Sequence, residues 1–170
     1  TWTGPATYAS ATVPSAWNLA GTDSRWIAAR YPSTAVEAGY YNYQTTFDLT
    51  DMDPSTASIS GHFSADNFLS SVRLNGTVVP QVTGEYSTWY DFTLPVGSPF
   101  VEGVNTLVFV VRNTGSSSNA SGLRVELTGW AMPEIPVEGE GEVPPEGEGE
   151  GDIWYVNQAN SSGIENGTSW

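Results

Sequence analysis

From Gly39 to Leu49 the chain alternates with a period of two. Tyr41, Tyr43, Thr45, Phe47 and Leu49 share one face, and Tyr40, Asn42, Gln44, Thr46 and Asp48 share the other. Successive side chains of a strand point to opposite faces, so this pattern describes a half-buried strand with one wet face. It recurs where Ala57, Ile59, Gly61, Phe63 and Ala65 alternate with Ser58, Ser60, His62, Ser64 and Asp66. Between the two runs, Asp51-Met52-Asp53-Pro54 reads as a turn, because aspartate and proline both favour one. Asn75-Gly76 separates Val72-Arg73-Leu74 from Thr77-Val78-Val79. Asn-Gly tolerates positive φ at both central positions, as a type I′ hairpin requires. Further strands are expected at 89–94, 105–112 and 123–130, with Gly103, Gly115 and Gly122 at their ends. Leu107 to Val111 is apolar on both faces and is expected in a central strand. Seven or eight such strands predict an all-β fold, an antiparallel β-sandwich of two sheets. The first 35 residues are less regular, and Trp17 and Trp26 are expected to pin them across the sandwich.

Charge narrows the partners. The chain has 19 acidic residues, five arginines and no lysine, for a formal net charge of −14. Phosphate binding needs clustered cations, so no nucleic-acid partner is expected, and an anionic membrane surface is disfavoured alike. No apolar run approaches the roughly 20 residues of a membrane helix, so membrane insertion is not expected. With no cysteine, disulfides, zinc–thiolate sites and cysteine nucleophiles are excluded. No signal peptide opens the chain, so any export signal is expected to be removed or to lie outside it. Composition breaks after Met132. A sandwich is expected over 1–132 and an acidic Pro/Gly/Glu linker over 133–152. At 153–170 an isolated strand is expected, either the start of a second β domain or an inter-subunit strand. Like charges and glycine make the Glu138–Asp152 stretch an extended spacer, with a weak calcium-attracting polyanion as the alternative.

Several motifs together resemble the galactose-binding-like jelly-roll modules of large secreted bacterial proteins. They are Ala65-Asp66-Asn67, Leu74-Asn75-Gly76, and Gly103-Val104-Asn105-Thr106-Leu107 followed by Ser121-Gly122-Leu123-Arg124-Val125. The resemblance covers about residues 20–131 and implies an eight-stranded antiparallel jelly roll, outside the cell or at its surface. In many relatives it implies sugar binding, in others a spacer or assembly role. It also implies a structural calcium ion, for which Asp51 and Asp53 are the candidate ligands, although no Asp-x-Asp-x-Asp-Gly loop is present. No other cofactor is expected. The segment from Asp152 onward resembles the opening strand of secreted right-handed parallel β-helix domains.

The residues themselves favour binding over catalysis. A serine triad would need His62, the only histidine, as its base, and its strand of serines marks it as a surface residue. Asp51 and Asp53 lie too close in sequence to flank a glycosidic bond from opposite faces. Sugar recognition needs flat apolar rings for C–H-rich faces and a few fixed polar groups for hydroxyls. Trp89, Tyr86, Tyr40, Arg73, Arg112 and Asn113 are the candidate ligand-binding residues. Arg124 is expected on the wet face, in a cross-strand ion pair with Glu126. The expected function is non-catalytic carbohydrate binding or attachment within a larger secreted protein. The alternative is a structural subunit of a surface filament or matrix. There Ile153, Trp154, Tyr155 and Val156 would add as a strand to a neighbouring protein subunit and build an open homopolymer.

Overall fold

The computed structural model describes residues 8–9, 13–19, 24–80, 83–135 and 152–156. Its strands are β1 (Tyr8–Ala9), β2 (Ile27–Ala28), β3 (Gly39–Asp48), β4 (Met52–Asp66) and β5 (Phe68–Leu74). They continue with β6 (Thr77–Val79), β7 (Tyr90–Leu94), β8 (Val104–Asn113), β9 (Gly122–Pro133) and β10 (Asp152–Val156). No helix occurs among the described residues. One sheet runs β1-β2-β9-β4-β7, with β10 also on β9, and the other runs β3-β8-β5-β6. All pairings are antiparallel. From β2 to β9 the chain changes sheet at every connection except the β5–β6 hairpin, an order compatible with a jelly roll.

The alternating residues explain the layering. Tyr43, Phe47, Ile59, Phe63, Phe109, Val111 and Val125 turn inward and are buried together between the sheets. Phe92 of β7 meets Phe109 of β8 edge-on, ring centroids 5.4 Å apart, and so joins one sheet to the other. The apolar β8 is central, flanked by β3 and β5. Asn75 and Gly76 both have positive φ, 50° and 83°, as the hairpin between β5 and β6 demands.

Three local expectations are corrected. The turn after β3 is tighter than Asp51–Pro54. The Asp48 carboxylate accepts from Thr50 N and Thr50 Oγ1, Asp51 takes φ 64°, and Met52 N donates to Leu49 O. The reversal is therefore complete by residue 51, and Met52, Asp53 and Pro54 already belong to β4. Pro54 falls where the β4–β9 register shifts between Asp53 and Ser58, a place that can spare a ladder donor. Strand β5 starts at Phe68 rather than Val72, because a bulge between Leu69 and Ser71 breaks the alternation. Leu69 and Val72 both face the core although they are three residues apart.

The third correction concerns Arg124, which is only 2 % exposed. Trp17 and Trp26 lie in tilted contact, ring centroids 4.1 Å apart, over the outer face of the six-stranded sheet and cover it there. Arg124 Nε donates to Ser24 Oγ, Arg124 Nη1 donates to the Asn18 carbonyl, and the guanidinium lies 4.7 Å from the Trp89 ring centroid. Arg124 and Glu126 are two apart on one strand, so their 3.8 Å contact runs along β9 rather than across strands. Gly122 permits this cover, since a Cβ there would lie 2.9 Å from the Trp17 ring.

Candidate functional site

The two outer faces of the sandwich differ. Over the six-stranded sheet, Trp17 Nε1 donates to Asp66 Oδ2, Asn18 Nδ2 to Ser64 Oγ, and Trp26 Nε1 to the Asn18 carbonyl. The loop before β7 is fastened to the same face, where Ser64 Oγ donates to the Thr88 carbonyl and Asn18 N donates to the Tyr86 carbonyl. Trp89 lies half-buried on this side, its ring 4.3 Å from that of His62. Tyr86 is also half-buried.

Polar groups converge beneath this cover. Ser24 Oγ donates to Glu126 Oε1 at 2.6 Å, and His62 Nε2 lies 2.9 Å from Glu126 Oε2. Burial pushes the Glu126 carboxyl up, but hydrogen bonds from Ser24 and His62 and the charges of His62 and Arg124 outweigh it. The carboxyl is therefore held below its usual range. Glu126 stands between Ser24 and His62, and the Ser24 hydroxyl donates to Glu126 while accepting from Arg124.

The outer face of the four-stranded sheet carries the other candidates, and strand register places them. Tyr40 of β3 pairs with Arg112 of β8, which pairs with Phe68 of β5. The guanidinium carbon of Arg112 lies 5.5 Å from the Tyr40 ring centroid and 5.8 Å from that of Phe68. Aromatic faces on both sides hold the charge by cation–π attraction and limit its rotamers. Tyr40 itself is 62 % exposed. The next row outward-facing on the same strands is Asn42, Val110 and Ser71, and the row after that is Gln44, Val108, Arg73 and Val78. Arg73, Gln44 and Asn42 are exposed, and among the described residues neither Arg73 nor Arg112 pairs with a carboxylate. From the Tyr40 row to the Gln44 row is about 13 Å at the rise of an extended strand.

Asn113 does not join this face. Its parity on β8 turns it inward, it is 2 % exposed, and its amide donates to the Val36 and Glu37 carbonyls. It therefore ties the segment before β3 to β8. Phe68 is the residue that sequence reasoning missed, because the bulge conceals its strand. Its signal was the aromatic-to-arginine pairing, visible only once β5 and β8 are in register.

Asp51 lies in the turn between β3 and β4, and Asp53 lies at the start of β4. Asp53 Oδ1 accepts from Ser55 N, and the Ser55 hydroxyl first, with that backbone bond second, holds the Asp53 carboxyl below its usual range. Calcium takes six to eight oxygens, and no three His, Cys, Asp or Glu side chains converge among the described residues. The backbone of Ile153, Trp154, Tyr155 and Val156 pairs with β9, from Asp152 opposite Ala131 to Val156 opposite Leu127. The rest of the expected 153–170 segment lies outside the described residues, as does the linker beyond residue 135. No protein family, curated protein or solved structure matches this chain.

Proposed function

We propose that this chain is a non-catalytic carbohydrate-binding or attachment module of the galactose-binding-like kind, part of a larger secreted protein, at work outside the cell or at its surface. One observation carries the reading. Strand register gathers Tyr40, Arg112, Phe68, Gln44 and Arg73, separated by up to 72 positions in sequence, onto one open sheet face. The Tyr40 and Phe68 rings offer apolar surface to sugar C–H groups, and Asn42, Gln44 and the arginines offer hydrogen bonds to hydroxyls. Trp89 and Tyr86, half-buried in the cover of the opposite face, act there as packing residues.

Affinity electrophoresis through gels containing different polysaccharides tests this. Tyr40→Ala is expected to abolish the retardation given by the bound polysaccharide, while Trp89→Phe leaves it. Retardation unaffected by Tyr40→Ala would move the site off this face. Retardation by no glycan at all would remove the sugar reading.

A second reading, assembly into a filament or matrix, draws on β10. Asp152 faces Ala131 across one strand spacing, yet 18 residues of acidic chain join Pro133 to Asp152, where a hairpin needs two to five. A tether of that length lets the same strand reach β9 of a second copy with the same hydrogen bonds. The chain lacks cysteine, so a clean test exists. Thr128→Cys in one copy and Tyr155→Cys in another, positions paired in the β9–β10 register, are mixed and oxidised. A disulfide-linked pair supports exchange, and its absence at millimolar concentration sinks it.

A further inference from the structure

The open sheet face carries a charge signature that a neutral-sugar site does not need. The chain has 19 acidic residues against five arginines, and one of the five, Arg124, is buried beneath Trp17 and Trp26. Of the four that remain exposed, Arg73 and Arg112 stand on this one face. Both are free of carboxylate partners among the described residues. The carboxylate on the same face of β3, Asp48, lies at the far end of the strand and is occupied by Thr50.

From these observations we infer that the ligand is a carboxylate-bearing polysaccharide, a polyuronate, with Arg112 and Arg73 each receiving a uronate group. The inference rests on the sugar-binding reading above and names the class of sugar. A guanidinium presents a planar fork of donors that matches a carboxylate in a bidentate pair. Arg112 is oriented for this by the Tyr40 and Phe68 rings, leaving its N–H edge for a ligand. Arg73 sits four residues along the β8 register, opposite Val108. The separation of about 13 Å exceeds one sugar ring, so the pair suits acidic groups on different residues of a polymer. Val108 and Val110 between them form an apolar floor, and Gln44 and Asn42 flank it with amides.

Calorimetry on the full chain with three polymers tests the inference. They are polygalacturonate, the same polymer after reduction of its carboxyl groups, and dextran sulfate. Polygalacturonate is expected to bind at least tenfold more tightly than the reduced polymer. Arg112→Gln and Arg73→Gln are each expected to weaken it at least tenfold. Arg112→Lys keeps the charge but not the fork and is expected to recover only part of the loss. Equal binding of the reduced polymer would overturn the uronate inference and leave sugar binding in place. Equal or tighter binding of dextran sulfate would also overturn it, showing general polyanion affinity. Binding of none of the three, with or without substitutions, would overturn both the inference and the reading beneath it.

Discussion

Asp66 lies 5 % exposed beneath Trp17, accepting from Trp17 Nε1 at 2.6 Å and from the Asn67 amide at 3.0 Å. Burial raises its pKa to about 6, against the lowering effect of those two bonds. A carboxyl whose folded pKa exceeds its unfolded value binds protons more tightly when folded, so its contribution to stability falls as pH rises from about 4 to about 6. Two units correspond to about 3 kcal/mol in full. Asp66 is covered by a single layer of chain rather than by the inter-sheet core, and solvent screening reduces this to roughly 1 to 2 kcal/mol. Urea unfolding at pH 4.5 and 7.5 should show Asp66→Asn gaining that much on the wild type over the rise. Parallel pH dependence in the two proteins would show that the carboxyl titrates normally. The two arginines of β8 and β9 give a second contrast. Arg124→Met takes one partner each from the Ser24 hydroxyl, the Asn18 carbonyl and the Glu126 carboxylate in a buried cluster and is expected to cost about 3 kcal/mol. Arg112→Met, on the open face, is expected to stay within about 0.5 kcal/mol. Equal costs in urea titration would deny the difference in burial.

Strand pairing fixes what no single residue does, and two places make it sensitive. Gly61 of β4 faces Leu127 of β9, and a Cβ there would fall on the Glu126 carbonyl oxygen. Gly61→Ala is therefore expected to cost about 2 to 3 kcal/mol by forcing the two strands apart, measured as a lowered urea midpoint. At the other end of the sandwich, Asn75 Nδ2 donates to Asn105 Oδ1, which also accepts from Val101 N, while Asn75 Oδ1 accepts from Thr106 N. Asn105 is fully buried. Asn75→Ala and Asn105→Ala are each expected to cost about 1 to 3 kcal/mol, with the double variant costing less than the sum, because both lose one shared bond. Strict additivity would separate the two turns. These elements also show what a sequence can display. The inward faces of β3 and of β4 as far as Ala65 were legible because nothing interrupts their period of two. The Asn75-Gly76 hairpin was legible because backbone φ is a local property. The bulge in β5 was not, since an extra residue is defined by the partner strand, and with it went Phe68. That Trp17 and Trp26 pin the opening segment across the sandwich was legible, but not that this segment lands over Ser64, Asp66 and Arg124. Those residues read as a wet face, and only the distant Trp17 and Trp26 make it dry. Tyr40, Arg73 and Arg112 could be picked by residue type, but their grouping belongs to the register of β3, β8 and β5.

At the scale of the whole molecule, the sandwich has one face covered at its Arg124 end and one open face, and its net charge opposes the ligand that the open face suits. At −14, the chain repels a polyanion over distances of about a Debye length, roughly 10 Å at 0.1 M salt and 30 Å at 0.01 M. The attraction at Arg112 and Arg73 acts within hydrogen-bonding distance and is screened less. Six of the 19 carboxylates, at Glu138, Glu140, Glu142, Glu146, Glu148 and Glu150, sit in the acidic stretch after Ile135, away in sequence from every strand of the open face. Replacing all six by glutamine should therefore change the long-range field and leave the Arg112–Tyr40 pairing untouched. Affinity for polygalacturonate is expected to rise several-fold at 0.01 M salt, mainly through the association rate, and the gain should vanish by about 0.5 M. Binding of a neutral polymer should not respond at either salt concentration. If the substitution leaves polygalacturonate binding unchanged at low salt, the net charge plays no part in recognition. A fall in affinity would mean that the glutamates contact the complex directly rather than opposing it from a distance.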